Sequence, residues 1–498
     1  MHDGLPGRAR ALIPALGLVP VLALLLVLGT RSTMGVGVAA ATTPASSPIR
    51  QLEDDLHRML AGVDLWPGYD PLKIPLAVYD GHDTWLLRHP APPKEFRPRP
   101  GGLLACEGRH AAVVANSSAL IGNVRTVTLL IETGPAGANP TGKSGVENGR
   151  PVSDGAGTDR TEADTTGWSR LPALVAREGF HVFQSDTGRD WGADESGLFV
   201  YPADDPDLLA RARLEVEMLR RSLASPDSAE AIGWARHAVS FRLGRLGSMN
   251  PDAIAYERGI ENRDGTAAYV GARALRRTGP EFPSEPFGAN ELRRRTRLTG
   301  SAWAFLLDRF RPGWREGFGA DPSRFLDDDA RRVVMILPAS PECRVRMEEV
   351  DGAVEAAGRD VAALQESRAR LVARLAASRS WRLVIESAVR TPLWPEGFDA
   401  DHVILLDGGS LLHTRFLRLS TEAGSFVVLG DSTLTEAAGK HPLYDGIRRA
   451  TVYNLAEEPR VKVAGDGVTL DMETVTADFR AAEVVRGDHE IRIQVGTP

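Results

Sequence analysis

The sequence predicts an α+β protein in which a helical middle is flanked by β-rich N-terminal and C-terminal units. Apolar residues recur at helical spacing from about residue 171 to residue 325. Short apolar runs separated by Gly, Asp and Ser turns follow Trp381, which is typical of strands. The 498 residues are 43% hydrophobic and 25% charged, the ordinary mixture of a globular protein with full-sized cores. Disorder throughout the chain is therefore excluded.

Residues 1–41 predict export from the cytoplasm. Arg8 and Arg10 precede an uncharged, apolar stretch over residues 11–30. This stretch is longer than the usual centre of a signal peptide and close to the roughly 20 residues that span a bilayer. Residues 39–41 are three alanines and offer a cleavage site, so removal as a signal peptide and retention as a membrane anchor both stay open. In either case we expect the remaining chain to be secreted, extracellular or periplasmic, and to meet a membrane only through this segment.

Three segments follow this leader. Residues 51–133 contain short apolar runs between turn residues, such as Val124–Glu132, and predict a β-rich N-terminal unit. Residues 134–170 are rich in Gly, Pro, Asn, Asp, Ser and Thr without a periodic apolar signal, and predict a flexible loop. Residues 171–330 predict the helical core.

The C-terminal part divides again into two segments. Residues 331–380 predict one strand, Val333–Leu337, followed by a long charged connecting helix over Asp351–Ser378. Residues 381–498 predict a β-rich C-terminal domain, with strand-like runs such as His402–Leu406 between turns.

Charge and cysteine content exclude several classes of protein. Lys and Arg number 59 and Asp and Glu number 66, so the formal net charge of −7 leaves no basic footprint for nucleic acid. Cys106 and Cys343 are the only cysteines, which excludes a disulfide-stapled scaffold and a Cys-rich metal site. A single bridge between the two stays open.

The chemically informative stretch is Leu174–Gln184. On a helix, Arg177 and Glu178 project toward the same region as His181, which follows them by four and three residues. Glu178 would lie on the apolar arc of this helix, and a buried carboxylate needs a cation, a hydrogen-bond donor or a metal as partner. Other acids also precede a His by three residues in this chain, but only Glu178 is predicted to be buried on a helix.

Further carboxylates are predicted on buried helix faces. Glu257, Glu261 and Asp264 follow one another at i, i+4 and i+7, which places them on one face of a second helix. Glu215 falls on the apolar side of a third helix. Carboxylates gathered among apolar residues repel one another unless a cation lies opposite. Taken as a set they favour a binding or catalytic centre over an internal ion-pair network, for which the candidate cations are Arg211, Arg258, Arg263 and Arg177.

Two of these stretches resemble the zinc site of a known family. The sequence Arg-Glu-Gly-Phe-His at 177–181 resembles the HExxH helix of zinc peptidases, and Glu261–Tyr269 resembles the helix that supplies the acidic ligand in gluzincins. Phe305–Trp314 and Leu411–Arg415 are similar to segments of an uncharacterised group of large exported bacterial proteins with this peptidase-like core. The resemblance implies that the central helical core is zincin-like.

The resemblance also implies roles for individual residues. Glu178 would be the general base, His181 one zinc ligand, and Asp264 or Glu261 the acidic ligand. The family motif begins with a His ligand, whereas position 177 is Arg, whose guanidinium stays charged and cannot donate a lone pair to zinc. Because a catalytic zinc usually has three protein ligands and a water, the set is one ligand short.

Two arrangements would resolve the missing ligand. Another histidine, His237 or His413, would complete the zinc site. Alternatively, the Arg177 cation would take the place of the metal and neutralise the nearby acids directly, which preserves the fold and abolishes hydrolysis.

Three interpretations of function follow from these patterns. In the first, the protein is a zinc-free, metallopeptidase-like module whose pocket binds a peptide or protein ligand or persists as structure. In the second, it is an active zinc peptidase with a substituted first ligand, in which Glu178 is the base and Tyr269, Tyr256 or His237 stabilises the oxyanion. In the third, it is an unrelated exported helical domain whose buried acids are structural.

Overall fold

The computed structural model describes most of the chain after residue 47. The described residues are 48–113, 116–131, 171–187, 191–321, 323–387, 391–399, 402–406, 409–439, 441 and 445–496. The segments expected to be a signal peptide or anchor (1–41) and a flexible loop (134–170) lie outside them. Pro48–Pro498 is one compact unit that contains every described hydrophobic cluster. No helix within the described ranges has the length and apolarity needed to span a bilayer.

The N-terminal part consists of one helix and one sheet. Helix α1 (Pro48–Leu60) comes first. The strands are β1 (Leu76–Tyr79), β2 (Asp83–Leu87), β3 (Arg97–Pro98), β4 (Leu104–Glu107), β5 (Ser117–Ile121) and β6 (Val124–Leu130). They form a sheet in the order β3-β4-β2-β1-β6-β5, and only β1 and β6 pair in parallel. The β-rich prediction for residues 51–133 missed α1, although Leu52, Leu56 and Leu60 recur at helical spacing and bury one face.

The middle of the chain is helical. Its helices are α2 (Leu171–Asp186), α3 (Pro206–Ala224), α4 (Ser228–Leu246), α5 (Pro251–Ile260), α6 (Thr266–Ala274), α7 (Leu292–Phe310), α8 (Leu326–Ile336) and α9 (Met347–Ala377), with a 3₁₀ helix at Glu195–Val200. Three of the helices begin at capping residues, because the side chains of Asp205, Asp227 and Asn250 accept hydrogen bonds from first-turn N–H groups. The long charged helix predicted over 351–378 is α9.

One segment predicted as a strand is helical. Val333–Leu337 was assigned as a strand from its apolar run, but the residues up to Ile336 form the end of α8. Three aspartates in the first turn favour a helix there because they complement the positive end of its dipole. Burial then follows helical spacing: Leu326, Ala330 and Val334 are buried, whereas Met335 and Ile336 are exposed.

A π-helical turn joins α5 to α6. The turn covers Glu261–Gly265, so α5, the turn and α6 form one continuous helix with an inserted residue. It packs closely against α7: a Cβ on Gly265 would lie 2.7 Å from the Cα of Gly300, and a Cβ on Gly300 would lie 2.6 Å from the carbonyl oxygen of Glu261. Only glycine at both positions permits this approach.

The N-terminal sheet and the helices share one hydrophobic core. Trp66, which precedes β1, lies with its ring centroid 5.1 Å from that of Phe180 on α2 and 5.4 Å from that of Trp314. Leu76 and Val127 of the sheet belong to the same buried cluster. The N-terminal sheet therefore packs against the helices.

The C-terminal region is a β-sandwich. Its strands are β7 (Trp381–Ser387), β8 (Trp394–Phe398), β9 (Val403–Leu405), β10 (Leu411–His413), β11 (Phe416–Thr421), β12 (Gly424–Leu429), β13 (Thr433–Ala437), β14 (Ile447–Leu455), β15 (Val461–Ala464), β16 (Gly467–Asp471), β17 (Val475–Phe479), β18 (Ala482–Gly487) and β19 (Glu490–Val495). One sheet has the order β18-β19-β7-β14-β13-β10-β9 and the other β15-β16-β17-β12-β11-β8. Both contribute to one buried cluster. The chain is thus α+β, with a helical middle and a β-rich C-terminal region.

The two cysteines are free thiols. Cys106 lies on β4, whereas the Sγ of Cys343 contacts the carbonyl oxygen of Glu230 on α4 at 3.4 Å. The disulfide that the sequence left open is therefore absent from the described structure.

We expect Gly265→Ala to lower the free energy of unfolding by about 1–3 kcal/mol, because the added methyl group forces the π-helical turn away from α7. Gly352→Ala is the matched control: Gly352 lies within α9, and a Cβ there would meet nothing within 4 Å. The control should gain up to about 1 kcal/mol from helix propensity. Chemical denaturation of both variants measures the difference, and equal effects would contradict the tight crossing.

Candidate functional site

Helix α2 carries the motif that resembles HExxH. Glu178 is 7% exposed, as its position on the apolar arc predicts. Its Oε1 accepts a hydrogen bond from Arg177 Nε at 3.0 Å and lies 2.9 Å from Arg177 Nη2. The carboxylate expected to be a general base is therefore paired with the Arg177 guanidinium.

His181 is held by a hydrogen bond within α2. Gln184 donates its amide hydrogens to the Arg263 carbonyl oxygen and to Thr266 Oγ1, each at 3.1 Å, so its Oε1 faces His181. Because this oxygen can only accept, His181 Nδ1 donates to it, at 2.9 Å. Burial lowers the pKa of His181 against the opposing effects of Glu178 and Asp264. The imidazole is thus neutral, with the lone pair on Nε2.

Asp264 also acts electrostatically on His181, although less strongly than Glu178 does. Arg293 Nη2 lies 3.4 Å from its Oδ2, and Arg263 Nε lies 3.9 Å from its Oδ1. Burial alone would raise the pKa of Asp264. Arg293 and, less strongly, His181 lower it, and the resulting pKa lies below the usual value for an aspartate. The Nη1 of Arg293 also pairs with Glu195 at 2.8 Å. Asp264 is therefore ionised and already neutralised by arginine.

A second group of charges lies in the interior beside this site. We call it the buried charge cluster; its members are Glu215, Glu257, Glu261, Asp327, Arg242, Arg245 and Arg295, each no more than 8% exposed. The acids come from α3, α5, the π-helical turn and α8, and the arginines from α4 and α7. Six elements therefore meet at one set of ion pairs.

Arg242 contacts all four acids of the cluster. Its Nη1 donates to Glu215 Oε1 and to Glu261 Oε1, both at 2.9 Å, and its Nη2 donates to Glu261 Oε2 at 2.5 Å. Its Nε donates to Asp327 Oδ2 at 2.9 Å. Thr299 Oγ1 donates a further hydrogen bond to Glu261 at 2.6 Å. All three nitrogens of this guanidinium thus donate to carboxylates.

Arg245 and Arg295 share Glu257. Arg245 donates to both oxygens of Glu257 at 2.6 Å each, and its Nη2 also donates to Glu215 at 2.6 Å. Arg295 Nη2 donates to Glu257 at 3.2 Å, and the Tyr201 hydroxyl donates to the same carboxylate at 2.6 Å. Bidentate pairing of this kind compensates the loss of hydration only when the geometry is good.

The acids of the cluster differ in pKa. Burial would raise the pKa of Glu257, but Arg245 and Arg295 outweigh it and hold that pKa well below its usual range. Burial raises the pKa of Glu261 to about 7, with Arg242 acting in the opposite direction and Glu257 adding to the rise. Glu261 thus holds a proton more readily than Glu257 does.

The predicted carboxylate face is divided by the π-helical turn. Glu257, Glu261 and Asp264 were expected on one face of a regular α-helix, but only the first two enter the buried charge cluster. The residue inserted by the π turn rotates Asp264 toward Arg293 and His181 instead. Regular helical spacing could not anticipate this division.

The partners of these acids were only partly predicted. Arg177 pairs with Glu178 and Arg258 with Asp327, at 2.9 and 2.8 Å. The main cations, Arg242, Arg245 and Arg295, were missed, as was Gln184. A signal was present: Arg242 lies four residues after Ala238 and four before Leu246 on the buried face of α4.

The other candidate residues are engaged elsewhere. The Tyr269 hydroxyl donates to Asp308 Oδ2 at 2.7 Å, and Tyr256 is buried beside Ile260 and Leu292. His237 Nε2 lies 2.9 Å from the Cys343 carbonyl oxygen. Neither Tyr269 nor His237 shares a contact with the motif on α2, so neither is placed as an oxyanion donor or a replacement ligand.

His413 lies in the C-terminal sandwich. It is buried on β10, with Nε2 3.3 Å from Thr435 Oγ1. Burial lowers its pKa to about 4. It therefore belongs to the core of the β-rich region and not to the helical site.

The residues present do not fit a zinc ion. Zinc needs deprotonated acids and neutral imidazoles whose lone pairs face one point. Glu178 is paired with Arg177, Asp264 with Arg293, and Glu261 with Arg242. In the part of the chain that the structure describes, no three His, Cys, Asp or Glu side chains are grouped so as to hold a metal.

Comparisons with known proteins give no relative. No family model matches the chain, no curated protein matches it, and no solved structure matches its fold. The residues and their geometry therefore carry the functional argument.

We expect Arg242→Met to lower the free energy of unfolding by about 3–5 kcal/mol, because it leaves buried carboxylates without their cation. Arg370→Met is the matched control: Arg370 pairs with Glu366 on the exposed side of α9, at 64% and 68% side-chain exposure. That surface pair should contribute less than about 1 kcal/mol. Denaturant titration of both variants tests this expectation, and a similar small loss in each would show that the cluster does not support the fold.

We expect His413 to make the protein less stable in acid. Its pKa is about 4 in the folded chain and about 6.5 when unfolded, so the unfolded state binds the extra proton between these values. The stability it contributes is complete above pH 6.5 and is lost as the pH falls toward 4, on the order of 3 kcal/mol in all. Thermal unfolding of His413→Leu from pH 7 to 4.5 should show a weaker acid dependence than the parent. The exposed His57→Leu should follow the parent curve.

Proposed function

We propose that this protein is an exported, metallopeptidase-like protein in which ion pairs stand where the family has a metal, and that its helical core is a binding or structural module rather than a hydrolase. The pairing of Arg177 with Glu178 carries the proposal, since a guanidinium at 2.9 Å neutralises the carboxylate that would otherwise activate water. The pairing of Asp264 with Arg293 gives further support.

Electrostatics explain why such a site would lose hydrolysis and keep its fold. A general base must have a free oxygen to accept a proton, whereas Oε1 of Glu178 already accepts a hydrogen bond from Arg177. The same guanidinium supplies the positive charge that a buried acid requires, so the helix can stay packed without a metal. The ligand of such a module would be a peptide or protein segment, and no nucleic acid is proposed.

One observation keeps an active zinc peptidase as the second candidate. His181 Nδ1 bonds to Gln184, which leaves Nε2 as the imidazole nitrogen with a lone pair, the form that ligates metals. In that case Arg177 and Arg293 would have to release their acids.

Zinc content distinguishes the two candidates. We expect the chain from residue 42, purified without chelator, to contain less than about 0.1 zinc per molecule by elemental mass spectrometry. Arg177→His should bind close to one zinc, because it removes the cation and adds a second imidazole at i, i+4 to His181. Arg370→His adds a histidine to the exposed side of α9 and controls for adventitious zinc.

Each outcome has one meaning. Near-stoichiometric zinc in the parent would overturn the proposal in favour of an active peptidase with a substituted ligand. Zinc absent from both the parent and Arg177→His would remove the metallopeptidase-like interpretation and leave the buried acids as structural groups.

A further inference from the structure

The end of α8 presents apolar side chains to solvent. Ile336 is 82% exposed and Met335 56% exposed. Met347, at the start of α9, is 69% exposed. Ile336 and Met347 are thus the two most exposed large apolar side chains among the described residues, and they lie at the two ends of the connection from α8 to α9. Burying such side chains against a partner is favourable, and their grouping marks an interaction surface.

This helix end is held in place rather than frayed. Arg236 on α4 donates to the carbonyl oxygens of Val334, Met335 and Leu337 at 3.0, 3.2 and 2.6 Å. The connection that follows is also tied to α4, because the Ser340 N–H donates to the Ala229 carbonyl oxygen at 2.8 Å. Arg236 satisfies the C-terminal carbonyls of α8, which removes the main cost of placing a helix end in an apolar medium.

Arginines lie one turn behind the apolar tip. Arg331 and Arg332 precede Met335 and Ile336 by four residues each, so each arginine shares a face with one apolar side chain, about 6 Å further back along the axis. Their side chains are 45% and 66% exposed. An apolar tip with basic groups one turn behind it matches the boundary between acyl chains and phosphates in a bilayer.

The local charge is an excess of arginine. Asp329 is buried, and its carboxylate pairs simultaneously with three guanidinium groups. The N–O distances are 3.3 Å to Arg311, 2.6 Å to Arg324 and 3.2 Å to Arg332. Arg331 pairs with Asp328 at 3.5 Å. Two carboxylates thus face four guanidinium groups, so positive charge remains at this surface. The exposed Arg344 and Glu342, in the connection to α9, balance each other.

We propose that the end of α8 is a membrane-contact surface that binds bilayers containing anionic lipid, with Met335 and Ile336 entering the acyl boundary and Arg331 and Arg332 meeting phosphates. This proposal rests on the expectation that residues 11–30 bring the protein to a membrane. The proposal does not depend on whether zinc binds.

Vesicle flotation tests this surface without the leader. The chain from residue 42 retains the compact unit Pro48–Pro498, and cooperative thermal unfolding is verified first for each variant. We expect it to float with vesicles of phosphatidylglycerol and phosphatidylcholine and to bind pure phosphatidylcholine about tenfold less. The double variant Met335→Ser/Ile336→Ser should bind the anionic vesicles about tenfold more weakly than the parent.

Two further variants separate specific from general effects. Arg331→Gln/Arg332→Gln should lose most of the preference for anionic lipid. Val463→Ser changes a valine that is 59% exposed on β15 and should bind like the parent. The proposal is overturned if the parent does not bind anionic vesicles, or if Met335→Ser/Ile336→Ser binds as well as the parent. Concentration-dependent dimers in sedimentation velocity that vanish in this variant, without vesicle binding, would identify a second copy as the partner instead.

Discussion

Neutralisation of buried carboxylates is the constraint on which the helical region depends. Glu215, Glu257 and Glu261 are each at most 1% exposed, and an ionised group so far from water must have a charged partner. Arg242 and Arg245 on α4 supply that partner. Hydrogen-bond geometry therefore helps to set the positions of the elements around α4, which are α3, α5, the π-helical turn, α7 and α8. Hydrogen bonds are directional, whereas apolar packing is not.

The same constraint connects the motif on α2 to the rest of the core. Gln184 holds His181 on one side and the π-helical turn on the other. That turn carries Glu261 into the buried charge cluster and Asp264 toward Arg293. Acids that resemble catalytic groups in sequence are thus members of two neighbouring ion-pair systems.

Sequence patterns predicted the α+β class, the long helix now seen as α9 and the burial of Glu178, because all three depend on local periodicity. They failed where contacts between distant parts of the chain determine the local structure. The run at Val333–Leu337 is helical because only one of its faces packs on the core, and Asp264 leaves the line of Glu257 and Glu261 because one inserted residue changes the helical phase. Arg242 and Arg245 were overlooked because composition marks arginine as a surface residue, although their neighbours on α4 are apolar. Which acid meets which arginine depends on the distance between helices, and no local pattern contains that information.

The position of β19 has a consequence for how the chain is made. This strand runs parallel to β7 and pairs Glu490 with Arg382, so the two are joined across more than 100 residues of sequence. It also lies between β18 and β7 in the interior of the sheet order. Until it arrives, β7 offers an unpaired edge to any other extended chain. This sheet can close only after β19 has been synthesised, and such long-range pairing is slow. A chain truncated before β19 therefore exposes a template for aggregation.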